Sequence, residues 1–149
     1  MSDPYDLGRY VAAQEPVYAR ACAELAAGCK RSHWMWFIFP QLRGLGSSPA
    51  AQHFAIGSLA EAGAYLAHPV LGERLRECTA LVNRVAGRTA EAIFGYPDNL
   101  KFRSCMTLFA AAVAAAAPGP DDGVFREALT RYYGGEPDPL TLRLLTSAS

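Results

Sequence analysis

The stretch His33-Trp34-Met35-Trp36-Phe37-Ile38-Phe39-Pro40-Gln41 decides how this chain is read. Six consecutive large apolar residues, Trp34 to Phe39, leave no polar position at either the helical or the strand period. A run of this kind suits an extended segment buried on both faces. Pro40 pushes Phe39 towards extended geometry and blocks helix continuation. No second strand-like run of similar strength is present to pair with it. The expectation is a buried extended or irregular segment, with space for one 3₁₀ turn, wrapped by helices.

Outward from that segment the signals are helical. Towards the N-terminus, Asp6 is placed as the cap of a first helix carrying Leu7, Tyr10, Val11 and Gln14. A second helix is expected from Pro16 to Ala27, with Pro16 at its first position and Gly28 as its stop. Towards the C-terminus, Ser48-Pro49 opens a short helix to about Phe54. Ser58-Leu59-Ala60-Glu61 reads as a capping box for a helix from Leu59 to about Ala67. After His68-Pro69, residues Leu71, Leu75, Cys78, Val82 and Val85 recur at helical steps, and Gly87 closes the helix. A short helix, Thr89 to Phe94, is stopped by Gly95. Asp98 is read as the cap of a long helix, Asn99 to about Ala116. Asp121 or Asp122 caps the next, which carries Phe125, Leu129 and Tyr132 and ends at Gly134-Gly135. A last helix spans about Pro139 to Leu145. Helices throughout and no credible strand pair imply an all-α, irregular multi-helical fold, a single domain over residues 1–149.

The bulk numbers agree with a globular chain. With 149 residues and 51% hydrophobic content it has enough apolar surface for one core, and needs no metal or disulfide to fold. A formal net charge of zero argues against nonspecific nucleic-acid binding, which rests on excess Lys and Arg. Cys22, Cys29, Cys78 and Cys105 include no C-x-x-C pair, so zinc-ligand spacing is absent and four free thiols in a reducing compartment are expected. The N-terminal stretch, Met1 to Arg9, contains Asp3 and Asp6 and no basic, apolar leader pattern. The most apolar stretch, Met106 to Ala117, falls short of the roughly 20 residues a membrane span needs. A cytoplasmic protein is expected.

Two readings of the aromatic run stay open. In one it is a hydrophobic plug. In the other, polar residues at its ends line a hollow floored by aromatic rings, where a planar group stacks and cations hold phosphate or carboxylate. The candidates for such a pocket are Lys30, Trp34, Trp36, Gln41, Lys101 and Ser104, with His33 as the candidate acid or base. Asp98 and Lys101 also fit a plain surface ion pair. The loop Gly44-Leu45-Gly46-Ser47-Ser48 has neither Walker nor dinucleotide-fingerprint spacing and reads as a tight turn. His33, His53 and His68 show no metal-ligand spacing. No hydrolase elbow, zinc-protease motif or paired carboxylates occur. No metal site and no cofactor are expected.

Several motifs carry a resemblance. His33 to Gln41 with Gly44 to Ser48, Ala64-Tyr65-Leu66 with His68-Pro69-Val70-Leu71-Gly72, and Ile93-Phe94-Gly95 with Asp98 and Lys101 form one set. Ser104-Cys105-Met106-Thr107-Leu108-Phe109 (Cys105 standing where the family has Ser), Tyr132-Tyr133-Gly134-Gly135 and Thr141-Leu142 complete it. Over nearly its whole length the chain resembles an uncharacterised bacterial family, domain of unknown function eighteen-hundred-and-ten, sometimes labelled calpastatin. It is similar to a mycobacterial member that is mainly helical and monomeric, which implies an all-helical monomer. The family implies no established activity. The calpastatin label fits poorly, because calpastatins are long and disordered whereas this chain is apolar and compact.

The functional expectation is a small-ligand binding protein or enzyme acting on a nucleotide-like or phosphorylated metabolite beside the His-Trp-Met-Trp segment. As an enzyme it would use His33 for proton transfer, Lys30 and Lys101 for the anion and Gln41 for orientation. An N-glycosidase of the ADP-ribose-processing type is one chemistry that such a pocket suggests. The alternative is a non-enzymatic protein-interaction module whose aromatic run is core and whose exposed faces bind a partner.

Overall fold

The computed structural model describes residues 3–116 and 122–148. Among these residues ten helices run in chain order: α1 Gly8–Gln14, α2 Tyr18–Ala26, α3 Met35–Ile38, α4 Pro49–His53 and α5 Leu59–Ala67, then α6 Leu71–Asn83, α7 Ala90–Phe94, α8 Asp98–Ala114, α9 Val124–Tyr133 and α10 Pro139–Ala148. Among the described residues there is no strand, and the one β-type pairing is an isolated parallel bridge between Leu42 and Ile56. None of these helices is long and apolar enough to cross a membrane.

Local chemistry accounts for most helix ends. The Ser48, Ser58 and Thr89 hydroxyls accept from the backbone N–H groups of Ala51, Glu61 and Ala92, so α4, α5 and α7 begin on side-chain caps. At α6 the capping atom is His68 Nδ1, which accepts from Val70 and Leu71 N–H. Asp138 opens α10 by accepting from Thr141 N–H and the Thr141 hydroxyl. Gly134 ends α9 in the left-handed conformation, which glycine adopts without Cβ strain.

Three expectations about helix starts are corrected. The α1 cap is Asp3, whose carboxylate accepts from Leu7 and Gly8 N–H, while Asp6 sits at φ +52° in the turn before the helix. Asp98 does not cap α8; it is the first helical residue and its carboxylate is bound to lysines. Asp122 does not cap α9 either, since its carboxylate accepts from Arg76 at 2.6 Å. Asp121, the other candidate, lies outside the described residues.

The aromatic run is in the core, as expected, but its centre coils. Trp34 (φ −136°) and Phe39 (φ −125°) keep extended-side φ values, and Met35–Ile38 between them form a single α-helical turn. The reason is backbone satisfaction. A buried strand with no neighbour would strand its N–H and C=O groups. The turn instead lets Ile38 N–H donate to Trp34 C=O and Phe39 N–H to Met35 C=O, both at 3.1 Å. The freed Phe37 carbonyl accepts from Gln14 Nε2 at 2.7 Å, which ties α3 to α1.

Around this turn the rings form a continuous core. Phe39 meets Phe102 and Phe94 edge-on at 4.9 and 5.9 Å, and Phe94 stacks on Phe102 at 4.6 Å. On the other side Tyr10, Tyr65, Phe109 and Phe125 follow one another from α1 through α5 and α8 to α9. Helix α8 supplies eight buried residues, six of them consecutive from Ser104 to Phe109, and so acts as the central strut. Its N-terminal end therefore emerges next to the Trp34–Phe39 segment.

Candidate functional site

At that end of α8 the charged flanks of the aromatic run converge. The Asp98 carboxylate accepts from Lys30 Nζ through Oδ2 at 2.8 Å and from Lys101 Nζ through Oδ1 at 2.9 Å. Each ammonium also lies over an indole: Lys30 is 5.1 Å from the centre of a Trp34 ring and Lys101 is 4.3 Å from Trp36. Two cations, one anion and two aromatic faces thus meet from three places in the chain, with one positive charge in excess. Lys30 is nearly covered, its side chain 8% exposed, and Lys101 is more open at 23%. Burial pushes Asp98 towards its neutral form, but the hydrogen bonds from Lys30 and then Lys101 outweigh it and hold its carboxyl below the usual range.

The backbone holds Lys30 in place, since its N–H donates to Ile93 C=O at 2.7 Å. The segment that follows is clamped by Glu24 from α2. Its carboxylate accepts from Arg31 N–H, Ser32 N–H, the Ser32 hydroxyl and Trp34 Nε1, at 2.6 to 3.0 Å. Burial opposes ionisation there, but these donors, led by the Ser32 hydroxyl, bring the Glu24 carboxyl down to about 2. Glu24 is the positioning residue that sequence reasoning missed. It is one acid on an amphipathic helix, and no spacing marks it.

The remaining candidates are placed differently. Trp34 is buried and Trp36 half-buried, so Trp36 offers the accessible indole. The Trp36 ring reaches Gly46 in the loop before α4, where an added Cβ would stand 3.1 Å from it. Gln41 is buried, and its Nε2 has no hydrogen-bond partner. Asn99, beside Asp98, has a buried Oδ1 without one. Ser104 belongs to another network: its hydroxyl donates to Leu100 C=O and to Asp138, joining α8 to the start of α10. His33 is exposed and has no polar partner among the described residues. Tyr96 and Leu100, 73% and 46% exposed, flank Asp98 and Lys101 in the chain.

A second polar cluster, unmarked in the sequence, is structural. The Arg9 guanidinium donates to the carbonyls of Tyr5, Asp6, His53 and Ala55, to the Tyr10 hydroxyl and to Glu61. Glu61 also accepts from Gly57 N–H, so the capping-box acid turns to Arg9 and the preceding loop. No group of three or more His, Cys, Asp or Glu side chains suited to a metal occurs among the described residues.

Comparison with known proteins fixes the family. The model of a family described as a protein of unknown function, DUF1810, matches residues 4–145. The chain belongs to this family. A solved structure similar to this chain is that of the conserved hypothetical protein Rv1873 from Mycobacterium tuberculosis. It is 57% identical, with a TM-score of 0.91, over 97% of this chain and 99% of that one. No curated protein matches. The DUF1810 chain is thus all-helical by its own coordinates and by those of its relative.

Proposed function

We propose that the Lys30–Asp98–Lys101 cluster, with Trp36 beside it, binds a small anionic ligand with a planar part, of the nucleotide or phosphorylated-metabolite class. The observation that carries this reading is the two-to-one balance of ammonium groups to carboxylate on two indole faces. Asp98 compensates one lysine charge and leaves the other for an incoming anion, and the indole that Lys101 covers suits a stacked ring. The unpartnered Oδ1 of Asn99, next to Asp98 in the chain, supports it, since a buried polar atom without a partner is one that a ligand can satisfy. The reading stops at binding. His33, the candidate acid or base, is solvent-exposed. We place the protein in the cytoplasm as a monomer.

Thermal-shift and tryptophan-fluorescence titrations with inorganic phosphate, ribose 5-phosphate, AMP and ADP test this. Stabilisation by the nucleotides above that by phosphate, lost in Lys101→Ala, is expected. No shift and no quenching with any of the four at millimolar concentration would sink it. A protein-interaction role is the second reading, favoured by the exposed Tyr96 and Leu100 and by Leu140 and Leu142 on α10.

A further inference from the structure

Helices α9 and α10 both pack on α8 but hardly on each other, and a groove of about 400 Å³ lies open between them. Its floor is one face of α8, where Thr107, Ala110, Ala111 and Ala114 recur at helical spacing. The space exists because these side chains are too short to fill it. Leu129 and Thr130 of α9 form one wall, and Leu142 of α10 forms the other. Helices α8 and α9 are antiparallel, since the Tyr133 hydroxyl at the end of α9 donates to Asn99 C=O at the start of α8. The α9–α10 connection at Pro137 therefore closes the groove beside Thr107, and Arg126, near the start of α9, stands at the Ala114 end. The lysine–indole cluster, at the N-terminal end of α8, shares none of these residues.

The polar groups along the groove are unequally engaged. The Thr107 hydroxyl donates to Arg103 C=O and accepts from Asp138 N–H, both at 2.8 Å. The Thr130 hydroxyl donates to Arg126 C=O at 3.1 Å. The exposed Arg126 guanidinium has no hydrogen-bond or ion-pair partner among the described residues. Asp122, just before the helix, is taken up by Arg76. One end of the groove thus offers a positive charge with its donors unused, and the remainder offers apolar surface with no side-chain donor to spare.

We propose that this groove binds a free straight-chain carboxylate of medium length, with its head on Arg126 and its tail along the alanine face of α8. The volume falls within the range of small-ligand sites. The floor from Thr107 to Ala114 covers roughly 10 Å of helix, about the length of an extended octanoate or decanoate. A guanidinium suits a carboxylate because its parallel N–H groups meet both oxygens. A groove this short, stopped at Pro137, fits one alkyl chain better than a partner's helix.

Isothermal titration of the full chain with submillimolar hexanoate, octanoate and decanoate, and with decanol, tests this. One ligand per chain is expected, with affinity rising roughly tenfold for every two carbons up to decanoate as methylene groups are buried. Arg126→Gln, at an exposed position, should weaken decanoate about tenfold and leave decanol unchanged. Ala111→Leu should fill the floor and abolish binding of both, and Lys101→Ala should leave both intact. Decanol matching decanoate, an affinity flat along the chain-length series, or no saturable heat overturns it. So does decanoate binding that survives in Ala111→Leu or is lost in Lys101→Ala. A dimer by light scattering that Ala111→Leu dissolves would give the groove to a second copy and overturns it too. If Ala111→Leu fails to fold by circular dichroism, the chain-length series and Arg126→Gln decide.

Discussion

Replacing Asp98 with Asn keeps the side-chain shape and removes the charge that two lysines share. In the folded chain the carboxylate accepts from Lys30 at 2.8 Å and from Lys101 at 2.9 Å, and the three side chains are 18%, 8% and 23% exposed. An amide offers one oxygen to one ammonium and turns an NH₂ towards the other. Breaking a fully buried pair costs about 3–5 kcal/mol, and an exposed pair is worth less than about 1. Lys30 lies near the buried limit and Lys101 nearer the exposed one, so the combined loss should be roughly 2–3 kcal/mol. For a chain of this length that lowers Tm by roughly 4–12 °C. The loss also has a pH signature. Asp98 is held below the carboxylate range, so its stabilisation is complete above the unfolded-state value near about 3.9 and fades as pH falls through the lower folded value. Urea unfolding followed by circular dichroism, wild type against Asp98→Asn, should show the full difference at pH 7 and a narrowing one below about pH 4. A difference under about 0.5 kcal/mol at pH 7, within the range of ordinary surface changes, would refute the shared-carboxylate account. So would a gap that widens in acid.

Two further expectations follow from geometry. Glu24→Gln removes the charged acceptor of the 31–34 segment and should destabilise by roughly 2 kcal/mol at neutral pH, with a red shift of tryptophan emission as Trp34 loosens. Because the Glu24 carboxyl is brought down to about 2, that penalty should persist to about pH 4 and shrink as pH approaches 2. Gly72→Ala would set a Cβ 2.0 Å from the Leu66 carbonyl oxygen, which no rotamer relieves, and should cost more than about 3 kcal/mol. Gly63→Ala, mid-helix with nothing within 4 Å, should gain roughly 0.5–1 kcal/mol, both read from thermal midpoints.

Helix ends were legible because their chemistry is local: Ser48, Ser58, Thr89, Asp138 and Gly134 each act within a few residues of themselves. The all-helical class followed from them and from the family motifs. The state of Met35–Ile38 was not legible, since a long apolar run reads alike as strand or buried helix. What decided it was the lack of a pairing partner elsewhere in the chain. Asp98 looked like a cap because its true partner, Lys30, lies far away in sequence. Of the named site residues, Lys30, Trp34, Trp36 and Lys101 meet, and the family motif around Asp98 supplied their carboxylate. Ser104 was drawn in by its place beside Lys101 on α8, and only the position of Asp138 shows where its hydroxyl goes. Arg9 and Glu24 carry no pattern at all, because a single charge on a short helix gives no hint of what it will hold.

The lysine–indole cluster takes one wall from residues 30–36 and the other from the start of α8. Neither half of the polypeptide contains a partial version that could operate alone. Occupancy would therefore be felt as resistance to global unfolding, growing with the logarithm of free ligand once sites are filled. Splitting the chain anywhere between Trp36 and Asp98 would abolish recognition until the pieces reassociate, which makes complementation of two co-expressed fragments a direct gauge of the tertiary junction.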